Sequence, residues 1–207
     1  MILYLIIIAI SMLLIWSGNW VFGSSCFYEL GLFKMFLLIA LAVVIEFVID
    51  LIVSAIVMIL PSKTFKCFGK VYKWEKKFYD KLRIKKWKDL IPVGKGPIGM
   101  GINKKNLNNT GDINFLKRFI DECFKAEVMH FISIFTGFFL IIILPIRFSL
   151  VISLPVIVVN MVLQAMPYMV QRYNLPKLEM LLKRNIKIEE RKQNTIVIVE
   201  NKETTKN

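Results

Sequence analysis

Residues 128–170 read VMHFISIFTGFFLIIILPIRFSLVISLPVIVVNMVLQAMPYMV. Two apolar runs, Val128 to Leu144 and Phe148 to Val170, flank the link Pro145-Ile146-Arg147. A hydrocarbon core about 30 Å thick is crossed by roughly 20 apolar residues of helix. The three-residue link leaves room only for a tight turn, so the stretch predicts a transmembrane helical hairpin. Pro155 and Pro167 lie inside its second arm, where each removes a backbone donor and is expected to bend the helix.

Two more runs of the same kind lie upstream. The first extends from Met1 to about Phe22 and the second from Met35 to Leu60, where Pro61 ends it. The first has no basic residues ahead of it, and Gly23-Ser24-Ser25 makes a poor cleavage site, so it is expected to be an uncleaved anchor, with a cleaved signal peptide as the alternative. Composition agrees. The 207 residues are 56% hydrophobic and 21% charged, with a mean hydropathy of +0.58. Both figures hold together only if the two kinds of residue are segregated, which excludes a disordered chain, a disulfide scaffold and an ordinary soluble enzyme. The expected fold is an all-α integral membrane protein with about four transmembrane helices. A basic amphipathic helix-loop-helix would lie between spans two and three.

Charge orients these spans. From Pro61 to Lys125 there are 17 Lys+Arg against 6 Asp+Glu, and from Arg172 to Asn207 there are 9 against 5. The positive-inside rule puts both stretches in the cytoplasm and so predicts a multi-pass cell-membrane protein with cytoplasmic N- and C-termini. Four units follow: residues 1–60 with two spans, 61–126 as a basic membrane-surface segment, 127–171 as the hairpin, and 172–207 as a basic tail. Residues 63–90 set Phe65, Phe68, Tyr72, Trp74, Phe78, Tyr79 and Trp87 among lysines. That mixture suits a helix lying on anionic lipid rather than on nucleic acid, because spans tether it on both sides. Residues 91–111 read as a Gly/Asn/Pro-rich loop whose GKGPIGMG lacks nucleotide-binding spacing. Asp112 is placed to cap the next helix, which runs through Phe115, Phe119 and Ile120 into the third span. Thr195 to Val199 reads as a short strand or a frayed end.

Candidate chemistry lies in two polar groups. Glu46, Asp50 and Ser54, at i, i+4 and i+8, share one face of the second span and would form a proton site or a polar contact with a neighbouring helix. Glu127 and His130, at i and i+3, are neighbours where the third span begins, and a carboxylate beside an imidazole suits a general base. Cys123, one turn earlier, adds the possibility of a thioester route. The hairpin returns Gln171-Arg172-Tyr173-Asn174, followed by Leu175-Pro176, to that same membrane face. There Arg172 could hold a phosphate or carboxylate, or simply end the helix, with Pro176 as the stop. Cys26, Cys67 and Cys123 are widely spaced and the chain has one histidine, so no metal site is expected.

Several of these strings resemble a known family. AEVMHFISI (Ala126 to Ile134) and VQRYNLPKL (Val170 to Leu178) are similar to the signatures of the glycosyl-diaponeurosporenoate acyltransferases, the CrtO-type membrane enzymes of the staphyloxanthin pathway. LPSKTF (Leu60 to Phe65), KKWKDLIP (Lys85 to Pro92) and KKNL (Lys104 to Leu107) add to the resemblance, which spans about residues 47–184. It implies transfer of a fatty acyl chain onto a sugar hydroxyl of a glycolipid, with a glycosyl carotenoid-like acceptor. His130 and Glu127 would be catalytic, and Arg172, Asn174, Tyr173, Gln171, Trp87 and Lys88 would bind substrate. No cofactor is implied beyond an acyl donor, an acyl thioester or a phospholipid, and the partners are membrane lipids and the glycolipid. The chain departs from the family pattern at Cys123, Leu175, Lys177, the first span and the Glu46/Asp50 pair. Two other classes fit the residues: a non-enzymatic lipid-binding scaffold, and a small transporter built on Glu46 and Asp50.

Overall fold

The computed structural model describes residues 2–22, 24–65, 71–91 and 111–204. The loop expected over 91–111, apart from its two ends, and the Lys104–Leu107 string lie outside the described residues, as does Cys67. Every described element is helical. Helix α1 is Ile2–Val21, α2 Ser25–Ile59, α3 Lys73–Lys81, α4 Ile84–Trp87 and α5 Ile113–Thr136. They are followed by α6 Phe139–Ile143, α7 Ile146–Phe148 and α8 Leu154–Thr204. Four segments are long and apolar enough to cross a membrane: Tyr4–Val21, Tyr28–Ile59, Ile113–Ile143 and Ile146–Ile198. Their outward faces carry exposed large apolar side chains, among them Leu14, Phe47, Ile56 and Ile142. Such a surface belongs in lipid, and the chain is a multi-pass membrane protein.

The principal packing pair is α5 against α8. Asp112 caps α5 as expected, its Oδ1 accepting from the amides of Asn114 and Phe115 at 2.8 and 3.1 Å. From that cap α5 runs unbroken into the membrane, so the expected junction at 126/127 falls inside one helix. The third span then breaks at Gly137. A Cβ there would sit 3.1 Å from Ile157 Cγ1 and 3.2 Å from Ile157 Cα. The absence of a side chain therefore lets the end of α5 lie directly on α8. Leu140, Leu144, Phe148, Ile152 and Ile157 close around this crossing together with Met35 and Ile39 of α2.

Pro167 lies inside α8, while Pro155 and Pro176 sit differently from expectation. Pro155 falls in the first turn of α8, just after a π-helical turn over Ser149–Ser153. Its ring has no N–H to offer the carbonyl of Val151, four residues back. Asn19 of α1 supplies the missing donor: its Nδ2 reaches Val151 O at 3.0 Å and its own Ile15 O at 2.8 Å. Pro176 does not stop the helix. α8 continues through it to Thr204, because a proline deletes one helical bond while Leu175 and Leu178 on either side are buried against Phe119, Cys123 and Phe124. The tail around Thr195 is accordingly helical rather than a strand, with Thr195 Oγ1 donating to Arg191 O at 2.9 Å. The expected boundary at 171/172 likewise lies inside α8.

Gly31 interrupts α2 with φ +72°, a backbone state that favours glycine. The Trp16 indole donates to Leu32 O just beyond the break, at 3.0 Å, and so ties α1 to α2. At the far end of α2, Lys125 Nζ of α5 donates to Met58 O at 2.8 Å and caps its terminal carbonyls. The Gly137 crossing sets the register of the helix pair. Gly137→Val is expected to cost about 1–3 kcal/mol through overpacking against Ile157, measurable as a lowered unfolding midpoint in detergent.

Candidate active site

At the end of the bundle where the basic segment lies, α3, α5 and α8 each contribute one charged residue to a buried cluster. Arg172 of α8 presents its fork side-on to Glu75 of α3. Nε donates to Oε2 at 2.5 Å and Nη2 to Oε1 at 2.6 Å. Its Nη1 donates to Glu127 Oε1 of α5. All three side chains are buried, Glu127 completely. Such pairs survive burial only when the geometry is good and the remaining lone pairs are served. Glu75 meets that demand: Oε1 also accepts from the Tyr72 amide at 3.0 Å and Oε2 from the Tyr79 hydroxyl at 3.0 Å. Tyr79 follows Glu75 by four residues and so lies one turn along the same face.

These contacts set the ionisation of the surface helix. Burial pushes the Glu75 carboxyl up, but the Arg172 guanidinium, the Tyr72 amide and the Tyr79 hydroxyl outweigh it and hold it below the usual carboxylate range. Burial, and then the hydrogen bond to Glu75, push the Tyr79 phenol up. A cleft of about 370 Å³ opens beside this cluster, lined by Tyr72, Trp74, Glu75, Phe78, Tyr79, Tyr168, Met169 and Arg172.

One turn deeper along α5 lies His130, half-buried. Its Nδ1 sits 2.8 Å from Gln164 Oε1 of α8, and Gln164 Nε2 donates to Asp50 Oδ2 of α2 at 2.5 Å. The Thr136 hydroxyl, with one proton to give, lies 2.8 Å from Ser133 O, 2.9 Å from Glu46 Oε1 and 3.0 Å from Asp50 Oδ1. Asn160 Nδ2 reaches Glu46 Oε1 at 2.5 Å and Ser133 O at 2.8 Å. The polar groups thus form a column from Glu75 at the basic end to Glu46 within the bundle. Buried polar groups of this kind are tolerated where they find partners; Glu46 Oε2 and Glu127 Oε2 are buried here without one among the described residues.

The expected site residues fall into two sets. Glu127, His130 and Arg172 converge, but the hydrogen bond of Glu127 goes to Arg172, and the Nδ1 side of His130 is held by Gln164. The i, i+3 spacing brings Glu127 and His130 near each other without making Glu127 the partner of that ring nitrogen. The carboxylates that Arg172 holds are the protein's own. Gln171 is buried, and its position seven residues from Gln164 puts it on the same face of α8. Asn174 is half-buried. Tyr173 packs with Tyr79, Ile84 and Val170 and lies beneath Lys177 Nζ, 3.7 Å from the ring centroid. Trp87 packs in that cluster too, its indole donating to Leu82 O at 3.0 Å and closing the turn from α3 to α4. Lys88 lies at the surface, 3.9 Å from its neighbour Asp89. Cys123 is buried in an apolar cluster with Phe119, Ile120 and Phe124, an environment that does not favour a thiolate.

Glu75, Thr136, Asn160 and Gln164 were not singled out by sequence reasoning. Asn160 and Gln164 did carry a signal, being two amides four residues apart in an apolar run. Glu75 carried less, one acid among lysines.

A match to a protein family covers residues 61–184: CrtO, glycosyl-4,4'-diaponeurosporenoate acyltransferase. The chain belongs to this family. The matched region starts at Pro61, so it takes in the charged cluster, His130, Gln164 and Asn160, and leaves out α1 and α2 with Glu46 and Asp50. Neither the curated proteins nor the solved structures offer a significant match. Membership of the CrtO family makes the chain an acyltransferase in general terms and ties it to carotenoid biosynthesis.

The charged cluster is the most exacting contact of this CrtO-family chain, and two outcomes follow. Arg172→Gln leaves two buried carboxylates facing one another and should cost about 3–5 kcal/mol, read as loss of folded protein after extraction. Because the Glu75 carboxyl is held low in the folded state, its contribution is present above the ordinary carboxylate value and is lost as pH falls through the folded value. Glu75→Gln should therefore flatten the acid limb of the stability–pH profile while lowering the plateau.

Proposed function

We propose that this protein transfers a fatty acyl chain to a sugar hydroxyl of a membrane glycolipid at the cytoplasmic surface, with His130 as general base. The observation that carries the reading is the position of His130. It lies one turn along α5 from Glu127 of the Glu75–Arg172–Glu127 cluster, whose Glu75 and Arg172 line the aromatic cleft. Its half-burial and its hydrogen bond through Nδ1 suit a ring that must work from its other nitrogen.

In the proposed reaction the acceptor hydroxyl gives its proton to the His130 imidazole as its oxygen attacks the acyl carbonyl. The new ester C–O bond forms, and the bond between the acyl carbon and the donor's sulfur or oxygen breaks. His130 then returns the proton to the departing group. The donor is an acyl thioester from the cytoplasm or a phospholipid from the bilayer. No cofactor is needed for this balance.

Arg172 is already bonded to Glu75 and Glu127, which supports a structural role for it at the site. Glu127, held by the same guanidinium, adds negative charge beside an imidazolium that forms during proton transfer. Gln171 and Asn174 are the amides offered to sugar hydroxyls or to the developing oxyanion. Tyr72, Trp74, Phe78 and Tyr168 give the cleft apolar walls suited to a sugar ring and its lipid. Trp87, Lys88 and Tyr173 support the surface helices rather than the substrate in this reading.

The test is lipid mass spectrometry on cells supplied with candidate acceptors. Wild type should produce an acylated glycolipid, and His130→Ala should lower its formation about 100- to 10,000-fold with normal membrane accumulation. Equal product from the two proteins would refute the base assignment. Equal lipidomes with and without the wild-type protein would favour a lipid-binding scaffold instead.

A further inference from the structure

The catalytic reading asks His130 to keep its lone pair on one particular nitrogen. A neutral imidazole has two tautomers, and the partner of one nitrogen decides which is present. Here that partner is Gln164, whose amide can present either its oxygen or its NH2. What turns the amide therefore sets the ring.

We propose that Asp50, on the second span, is a positioning residue that fixes the tautomer of His130 through Gln164. Gln164 Nε2 donates to Asp50 Oδ2 at 2.5 Å, the orientation required when Asp50 is ionised, because an ionised carboxylate only accepts hydrogen bonds. The amide oxygen is then the end that faces His130, 2.8 Å from Nδ1. An oxygen acceptor requires a proton on Nδ1, which leaves the lone pair on Nε2. Thr136 braces the relay from the other side, its hydroxyl 3.0 Å from Asp50 Oδ1. Asp50 lies outside residues 61–184, the part of the chain that matches the family. The second span thus supplies a component of the site that the family match does not contain. Asp50 reaches the ring only through Gln164, and its effect on catalysis rests on the acyl-transfer reading; its effect on the ring does not.

The chain's single histidine makes the test direct. Full-length protein labelled with 15N-histidine, in lipid nanodiscs and at alkaline pH where the ring is neutral, gives the signals of one imidazole. Wild type should show its proton on Nδ1. In Asp50→Asn the side chain keeps one acceptor oxygen and gains an NH2 that Gln164 can accept from, so position 50 no longer obliges Gln164 to present its own NH2. Gln164 is then released to turn, and the share of rings protonated on Nε2 should rise. Adding Gln164→Glu should restore the Nδ1 proton, because a carboxylate accepts from both the introduced amide and the ring. Acyl transfer should fall about 10- to 100-fold in the single variant and recover in the double one. A wild-type proton on Nε2 would overturn the proposal, and that spectrum requires no variant to fold. An unchanged tautomer ratio in Asp50→Asn would overturn it equally. If the tautomers move as expected while no variant, nor the wild type, transfers an acyl group, the relay stands and the acyl-transfer reading falls.

Discussion

A single guanidinium, that of Arg172, joins three elements that the sequence keeps far apart. Its bonds to Glu75 and Glu127 draw a surface helix, the third span and the fourth span to one point. A basic helix rich in aromatics would otherwise be free to spread on the lipid surface, driven by its own composition. The side-on pairing with Arg172 gives that helix a fixed position and rotation. The cleft beside it has walls from both α3 and α8, so its shape depends on this one contact.

Below that point the bundle alternates polar and apolar layers. The Phe119–Leu178 cluster packs the basic end, and the cluster around Met35 and Ile157 packs the opposite one. Between them runs the column of His130, Gln164, Asp50, Thr136, Asn160 and Glu46. Lipid offers these groups no hydrogen bonds, so their partners have to come from other helices. The column therefore fixes the rotation of α2, α5 and α8 about their own axes. Shape alone would do this weakly for helices so uniformly rich in Leu, Ile and Val.

The four spans were legible because apolar length is a strong and local signal. The Asp112 cap was legible for the same reason, since a cap depends on residues within one turn. The continuation of α8 through Pro176 was not, because the burial of Leu175 and Leu178 against α5 is a tertiary fact that outweighs a local breaker. The face shared by Glu46 and Asp50 could be read from their spacing, and a polar contact with a neighbouring helix was one of its two readings. That the contact would be Gln164, and through it His130, required knowing which helices are neighbours. Glu127 shows the limit in the other direction. Its proximity to His130 along the helix was correct, but a stronger partner, Arg172, takes its hydrogen bond from across the bundle.

Pro155 and Asn19 have a bearing on the order in which the protein is made. The hairpin of spans three and four emerges late and carries an open carbonyl at Val151 together with the amides of Asn160 and Gln164. Their partners, Asn19, Glu46 and Asp50, all reside in the two helices synthesised first. Chains fold from the N-terminus as they leave the ribosome, so the early pair acts as a template already holding the complementary groups when the hairpin arrives. A hairpin expressed without it would keep Asn160 on Ser133 O and Gln164 on His130, but would enter the bilayer with the Val151 carbonyl and the Gln164 NH2 lacking these partners. The two N-terminal spans, which the family match leaves out, thereby serve as an assembly guide for the part that the family shares.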